Sequence, residues 1–440
     1  MGWRDRRLDA GDRRHRYRPA CRRNRQLETV MPSTAPHAVA RQTPVNIARL
    51  TLVLGALTAF APFATDMYLA SFPALAASFH ADSGQVQLGL SLFFVGLAVG
   101  QLFYGPLIDR YGRKLPLLAG TAFFAATSFL IVFAPDIESF IALRLLQAIG
   151  GCAGMIVSRA IITDLFDERE TARILSLMMT VQGLAPILAP VLGGYILTFA
   201  DWRAIFLFLA VFGAICFAAA SALLPETLPR QKRQRMNLVG VLTIYVHLLG
   251  QRRFIAPTLV GSLSLGSIFA FISGSPFVFM EIHQISPQHY GWLFGANAFG
   301  MIVAAQLNRF LLNRLSPSKV LAGALGVQIV AIFVALVTLT SGSLFVLLSP
   351  LWISLATIPL VAANATALGM AASGKHAGSA SALVGVLQFG VAGIVSALVG
   401  VLHDGTALPM VGTIFACGLL AGGVLFLGRR RAGSRGAGTR

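Results

Sequence analysis

The feature that most constrains this chain is a succession of apolar stretches, each long enough to cross a bilayer as a helix. About 20 apolar residues in a helix span the ~30 Å hydrocarbon core. Twelve such stretches can be placed, six in each half of the chain. They cover residues 50–72, 86–107, 115–134, 139–161, 174–198, 203–224, 254–280, 290–312, 318–340, 344–369, 378–401 and 408–428. The sequence therefore predicts an all-α integral membrane protein with twelve transmembrane helices.

Composition excludes the main soluble classes. Of the 440 residues, 56% are hydrophobic and 12% are charged, whereas about 25% are charged in a soluble domain. The formal net charge of +18 does not indicate nucleic-acid binding, because no nucleic-acid-reading fold or motif accompanies it. The four cysteines form no metal-ligand or disulfide pattern, and no nucleotide-binding loop is present. We therefore expect no cofactor and no activity driven by nucleotide hydrolysis.

Lysine and arginine are distributed very unequally between the two sets of connections. When the first 30 residues and the two arginines Arg144 and Arg159 are left out, the side that carries the N terminus has 22 basic residues. The opposite side has only Arg203. Because positively charged connections stay in the cytoplasm, this count predicts a multi-pass protein of the cell inner membrane with both termini cytoplasmic.

The sequence divides into five segments. They are an arginine-rich leader, 1–45, a six-helix bundle, 46–224, a cytoplasmic connection, 225–253, a second six-helix bundle, 254–428, and a basic cytoplasmic tail, 429–440. Within the connection, the apolar run from Asn237 to Gly250 is too short to span the membrane. We expect it to lie along the membrane surface.

The leader has two interpretations. It lacks the apolar core of a signal peptide. It is either a disordered basic tail that contacts anionic lipid, or sequence upstream of a true start at Met31. We prefer the second interpretation, because Met31 opens an ordinary short polar leader.

Ionisable residues within predicted spans are costly and therefore indicate function. Asp66 lies in the first span, and Arg144 and Arg159 lie in the fourth. A carboxyl in a cavity of low dielectric constant can take up and release a proton as its hydration changes. We therefore predict that Asp66 and Arg144 form the proton-coupling pair, with Glu281 at the end of the seventh span as a further candidate.

Each of these charges also has a simpler structural interpretation. Asp66 can cap a helix break before Pro73, and Glu281 can be a solvated loop carboxylate. Arg144 and Arg159 can extend to the two membrane interfaces, because a long arginine side chain places its charge in water while its stem stays among apolar groups. Arg159 can also pair with a residue of a loop.

Two polar or glycine-rich motifs stand out. In GPLIDRYGRK, between the second and third spans, Gly105 is expected to permit close helix approach and Gly112 a tight turn, with Asp109 pairing with a nearby arginine. In GLAPILAPVLGG, in the fifth span, two prolines and a glycine pair are expected to bend the helix and admit another helix.

These motifs resemble those of the major facilitator superfamily. The loop 2–3 signature matches at Gly105, Asp109, Arg110, Gly112, Arg113 and Lys114. RLLQAIGG is similar to the fourth-helix motif through Arg144, Gln147 and Gly150. APILAPVLGG is similar to the fifth-helix antiporter motif through Pro190, Gly193 and Gly194. Ala185 and Ala189 stand where that motif usually has glycine. Together with TDMYLASFP, the set resembles the Bcr/CflA drug-resistance branch of the twelve-helix drug:H+ antiporters over residues 46–430.

The resemblance implies two pseudo-symmetric six-helix bundles and proton-coupled efflux of small drugs by alternating access. It implies substrates such as bicyclomycin, chloramphenicol-type compounds, sulfonamides or tetracyclines, and a conformational-switch role for the loop 2–3 residues. The expected partners are drugs, protons and membrane lipid, with a functional monomer. Candidate residues for an adaptable substrate pocket are Phe63, Tyr68, Gln147 and Phe271. The alternative function is export of a single endogenous metabolite on the same scaffold, since fold does not fix function.

Overall fold

The computed structural model describes residues 47–233, 238–341, 343–374 and 377–436. The leader and the proposed start at Met31 lie outside these residues. In the first half the helices are α1 Ile47–Thr58, α2 Phe60–Asp66, α3 Phe72–Phe79, α4 Ser83–Tyr111, α5 Lys114–Ile131, α6 Ile137–Leu165, α7 Glu168–Phe199 and α8 Arg203–Leu223. In the second half they are α9 Leu238–Gly250, α10 Arg252–Pro276, α11 Pro287–Leu312, α12 Pro317–Val337, α13 Leu344–Ala356, α14 Ile358–Ala371, α15 Ala377–Val401 and α16 Leu408–Gly436.

The predicted all-α fold with twelve crossings is confirmed. Eleven helical segments of the described chain are long and apolar enough to cross a membrane. The twelfth crossing is α11, which carries several polar residues yet has 26 residues, or about 39 Å at 1.5 Å per residue. It follows the C-terminal end of the seventh crossing and leads to the start of α12 on the opposite side of the bundle, so it has to cross the membrane.

Three of the crossings contain a break. The first consists of α1, α2 and α3, joined through a 3₁₀ turn at Leu69–Ser71. The seventh ends in a π-helical turn, Phe277–Ile282, after Pro276. The tenth is divided at Thr357 into α13 and α14. Proline near a break is expected, since its ring prevents the regular hydrogen bond and clashes with the preceding turn.

The two halves contact each other along two seams. In the first, α4 packs on α15, where an added Cβ at Gly84 would lie 2.6 Å from the Gly400 carbonyl oxygen. The Ser91 hydroxyl donates to the Ser396 hydroxyl at 2.9 Å in the middle of this seam. In the second seam, α7 packs on α11. Glycine and serine therefore permit close contact between the halves.

The connection between the halves contains a short helix. α9 has 13 residues and places Tyr245 and Leu248 in an apolar cluster with α10 and α15. Leu242 and Val246 on its other side are exposed. α9 is too short to cross the bilayer, as the sequence predicts, and its place on a membrane surface stays a prediction. α16 continues to Gly436, into the segment predicted as a tail.

The bundle has two ends, which we name by their residues. The loop 2–3 end contains the α4–α5 connection around Gly112. The far end contains the start of α4 at Ser83, whose hydroxyl donates to Glu281 Oε1 of the second half at 3.0 Å. Glu281 therefore lies at a contact between the halves.

Candidate functional site

Asp66 is the last residue of α2, at the break in the first span, and its side chain is buried. The preceding Thr65 hydroxyl donates to the carbonyl oxygens of Ala61 at 2.9 Å and Pro62 at 3.1 Å. Among the described residues, no ion pair includes Asp66. It is also the one carboxylate of the described chain that lies deep within a spanning segment, because the others lie at helix ends or in connections.

The glycines of α7 let two segments pack closely against this helix, namely the break in the first span and the start of α11. A Cβ at Gly193 would collide with the carbonyl oxygen of Met67, which follows Asp66, and one at Gly194 would lie 2.7 Å from the carbonyl oxygen of Pro287. In the opposite direction, a Cβ at Gly291 of α11 would lie 2.9 Å from the Pro190 carbonyl oxygen. The close approach predicted for this motif is therefore confirmed, and α7 contacts both the break and the start of α11.

Arg144 of α6 is fully buried and bonds to the same broken segment. One terminal nitrogen donates to the Ala64 carbonyl oxygen at 2.9 Å, and the other donates to Gln147 Oε1. Gln147 Nε2 in turn donates to the Ser128 hydroxyl of α5 at 2.7 Å. Gln147 therefore orients the guanidinium.

Aromatic rings surround the Arg144 guanidinium. Its central carbon lies 4.2 Å from the ring centroid of Tyr68, 4.3 Å from that of Phe93 and 5.7 Å from that of Phe206. A cation over the face of an aromatic ring is stabilised electrostatically, more so when water is excluded. The Arg144 Nε and the Tyr68 hydroxyl make no hydrogen bond within the described chain.

The two residues predicted as a coupling pair are thus close in the fold without being paired. Arg144 binds the backbone of α2 two residues before Asp66, and no salt bridge in the described chain joins the two side chains. Any influence of Arg144 on Asp66 therefore acts through the position of the α2 backbone and through the field of its charge. The coupling itself stays a prediction.

The four predicted pocket residues lie in three different sets of contacts. Tyr68 and Gln147 both contact Arg144, but Phe63 packs edge-on against Phe212 of α8 at 5.5 Å between centroids. Phe271 is fully buried within the second half, stacked on Phe294 at 5.7 Å. Sequence reasoning missed Phe93 and Phe206, because no local pattern shows which rings of other helices will face a buried arginine.

The loop 2–3 residues form a polar network at their end of the bundle. Arg113 bonds to Asp109 at 2.7 Å and to Asp164 of α6 at 2.9 Å, and its backbone nitrogen donates to Glu226 Oε1 at 2.8 Å. Burial lowers the pKa of Arg113, but the hydrogen bonds and charges of Asp164 and Asp109 outweigh it and raise that pKa above its ordinary value. The predicted pairing of Asp109 with a nearby arginine is confirmed.

The other loop 2–3 residues have different roles. Gly112 has φ +92°, which confirms the predicted tight turn, since this backbone region favours glycine. Lys114 Nζ donates to the Ser221 carbonyl oxygen at 2.8 Å, and Arg110 stacks on Tyr111. For Gly105 the predicted close helix approach is wrong, because nothing lies within 4 Å of an added Cβ there.

Gly112→Ala is expected to slow transport about tenfold or more for every substrate while leaving drug affinity within about twofold, since conformational steps limit many turnover rates. A Cβ at Gly112 would collide with the Glu226 carboxylate, and an alanine there would have to adopt a strained backbone angle. Gly105→Ala is the matched control, and it should transport at the wild-type rate. Transport rates and drug binding by the purified variants check this, and a change of substrate preference in Gly112→Ala would contradict it.

A fold of twelve spanning helices, with a broken first span against a buried arginine, is that of a multi-pass membrane protein. The sequence model of the Major Facilitator Superfamily matches residues 54–397, and the chain belongs to that superfamily. It is 36% identical over 386 residues to the uncharacterized MFS-type transporter YdgK of Bacillus subtilis, covering 86% of this chain and 94% of the relative. It is 31% identical over 389 residues to the bicyclomycin resistance protein homolog of Haemophilus influenzae, covering 88% and 97%.

Other similarities extend this result. The multidrug transporter MdfA of Yersinia pestis is 36% identical over 267 residues, which is 59% of this chain and 64% of that protein. The fold is similar to a bacterial homolog of the human lysosomal transporter Spinster, with a TM-score of 0.70, 14% identity and coverage of 88% and 98%. It is also similar to the D-xylose–proton symporter, with a TM-score of 0.64, 16% identity and coverage of 86% and 97%. At these identities the solved structures support the fold alone.

Proposed function

We propose that this protein exports small drugs across the bacterial inner membrane in exchange for protons, with Asp66 as the group that carries the proton. The observation that carries the proposal is the position of Asp66, a buried carboxylate at a helix break between α7 and α11. A helix break of this kind lets the exposure of a group change when the halves move, because backbone there is free to rearrange. Relatives named for bicyclomycin and multidrug resistance support drugs as the substrate class.

Arg144 acts in this proposal as a positioning residue. Its guanidinium ties α6 to the α2 carbonyl at Ala64, so it fixes the segment that presents Asp66. The aromatic rings around it exclude water and maintain its orientation. The loop 2–3 network and the Gly193–Met67 contact act on the conformational change rather than on the drug.

A resistance panel tests the proposed function. The gene is expressed in a host that lacks its own efflux pumps, and growth is measured with bicyclomycin, chloramphenicol, a sulfonamide and tetracycline. Protection against at least two unrelated drugs, lost in Asp66→Asn, is the expected result. Protection against none, together with altered secretion of one metabolite, would instead favour an exporter of an endogenous compound.

Reporter fusions are expected to place both termini in the cytoplasm. Fusions after Lys232 and after Arg431 should give cytoplasmic signals, and a fusion near Ser83 should give a periplasmic one, because the basic connections lie on the side of the termini. The Ser83 fusion also serves as the control that a periplasmic signal can be obtained. A periplasmic signal after Arg431 would contradict the orientation.

A further inference from the structure

We infer that α9 and the two arginines that follow it, Arg252 and Arg253, form a binding surface for an anionic phospholipid. The acyl chains of this lipid contact the exposed apolar residues of α9, and its phosphate meets the two arginines. This surface lies at the loop 2–3 end of the bundle and is independent of the compound that the protein transports.

α9 lies at the level where spanning helices begin and end. It packs on the first two turns of α10 and α15, in the apolar cluster that contains Phe254 and Leu383, and Met370 near the end of α14 packs against the same cluster. Leu102 of α4 packs against this cluster as well, so α9 lies beside the seam between the halves. Because α9 has 13 residues and a crossing needs about 20, it is held at the end of the bundle without crossing the membrane.

The residues of α9 divide into three sectors around the helix axis, at about 100° per residue. One sector packs on the bundle, and its members are Val241, Ile244, Tyr245 and Leu248. The second sector, centred about 120° away, is an apolar stripe of exposed residues, Leu242, Val246 and Leu249, which are 58%, 69% and 43% exposed. The third sector has the exposed residues Thr243, His247 and Gly250. A helix with separate packed, apolar and polar sectors is suited to a membrane interface.

The apolar stripe fits the acyl region of a lipid. The described chain leaves all three of its residues exposed, although Tyr245 and Leu248 already bury the packed sector of the same helix. An interfacial helix buries its apolar side about 5–10 Å into the boundary between headgroups and acyl chains. The start of α10 at Arg252 is separated from the end of α9 at Gly250 by one residue. Arg252 and Arg253 therefore lie at the level of the headgroups.

The charge of this region indicates which headgroup it binds. Between Glu226 and Glu281 the chain has six basic residues and no acidic one. Arg252 and Arg253 are exposed, and the ion pairs of the described chain join other residues. Anionic lipid attracts basic segments at a membrane surface, and a guanidinium binds a phosphate through two parallel hydrogen bonds. An anionic headgroup supplies the negative charge that the protein lacks here, whereas the cation of a zwitterionic headgroup opposes the attraction.

Titration with lipid tests the role of the two arginines. The full chain is purified in detergent, stripped of lipid and titrated with phosphatidylglycerol or phosphatidylcholine, and native mass spectrometry measures the affinity for the first bound lipid. Wild type should bind phosphatidylglycerol more tightly than phosphatidylcholine. Arg252→Gln/Arg253→Gln should weaken phosphatidylglycerol binding about 25-fold, or about fivefold for each basic residue at the membrane surface, and leave phosphatidylcholine binding unchanged. Arg252→Lys/Arg253→Lys should retain most of the preference, because it keeps both charges.

Arg314→Gln/Lys319→Gln is the matched control, because it also removes two exposed positive charges at the loop 2–3 end. These residues lie at the connection between α11 and α12 rather than at α9. The control should bind phosphatidylglycerol as wild type does. Equal weakening in the control and in Arg252→Gln/Arg253→Gln would show a general effect of charge and overturn the site. Unchanged phosphatidylglycerol binding in Arg252→Gln/Arg253→Gln would overturn it as well.

Spin labels test whether lipid covers the apolar stripe. Val246→Cys and His247→Cys are made in a Cys21→Ser background, because the other three cysteines are buried, and are labelled in vesicles that contain phosphatidylglycerol. The label at Val246 should collide with oxygen, which dissolves in lipid, and not with a water-soluble nickel complex, whereas the label at His247 should show the reverse.

Two results with the label at Val246 would overturn the lipid contact. Collision with the nickel complex would show that the stripe faces water. Collision with neither reagent would show that protein covers the stripe, and cross-linking of the labelled site to a second copy would then identify a dimer interface.

Discussion

Asp66→Asn is expected to reduce proton-driven export of a neutral drug to the level of vesicles that lack the protein. The amide keeps the shape of the side chain but cannot take up and release the proton. Inward movement of one proton down the membrane potential yields about 2.3 kcal/mol per 100 mV, and without that exchange uphill transport has no energy source. Uptake of chloramphenicol by energised everted vesicles measures this directly.

Glu281→Gln is the matched control for Asp66→Asn. Glu281 also lies where the halves meet, but it accepts a hydrogen bond from Ser83 at the far end of the bundle rather than lying deep in a span. We expect Glu281→Gln to retain proton-driven uptake. If Glu281→Gln lost proton-driven uptake while Asp66→Asn retained it, the coupled proton would be assigned to Glu281 instead of Asp66.

Arg144→Lys is expected to lower transport about ten- to hundredfold although it conserves the charge. The guanidinium bonds to Ala64 and Gln147 at once while its plane faces the rings of Tyr68 and Phe93. A lysine ammonium lacks this planar fork, and a lost buried hydrogen bond of a charged group costs about 1.5–3 kcal/mol. Transport rates of variants at equal membrane abundance check the prediction.

Arg203→Lys is the control for the arginine chemistry. Arg203 also stacks on an aromatic ring, with its guanidinium carbon 4.3 Å from the Trp202 centroid, and it donates to the Val132 carbonyl oxygen at 3.1 Å. It is partly exposed, so water can satisfy the hydrogen bonds that a lysine at this position would no longer make. We expect its transport rate to stay within about twofold of wild type, and a loss equal to that of Arg144→Lys would argue against a specific role for Arg144.

The spans were predictable because a bilayer imposes a simple requirement of length and apolarity on each helix. The same reasoning predicted that Asp66 and Arg144 lie within spans, where both are buried, since a charge among apolar residues is visible in the sequence alone. The turn at Gly112 and the approach at Gly193 followed from the special properties of glycine.

Contacts between distant segments were not predictable. The ring of Phe93 lies on α4 and that of Phe206 on α8, and only the packing of three helices brings them to Arg144. Gly105 belongs to the same motif as Gly112, yet nothing approaches it, because a motif does not show which of its positions face a neighbouring helix. Phe63 and Phe271 are both aromatic residues in spans, and the rings that they contact, Phe212 and Phe294, depend on the rotation of α2 and α10.

Proton release on drug binding tests the central claim most directly. Chloramphenicol is added to the purified protein in weakly buffered detergent solution, and the released protons are followed with a pH indicator for wild type, Asp66→Asn and Glu281→Gln. Wild type and Glu281→Gln should release up to about one proton per bound drug, whereas Asp66→Asn should bind the drug and release none. Equal release by Asp66→Asn and wild type would contradict the assignment of the coupled proton to Asp66.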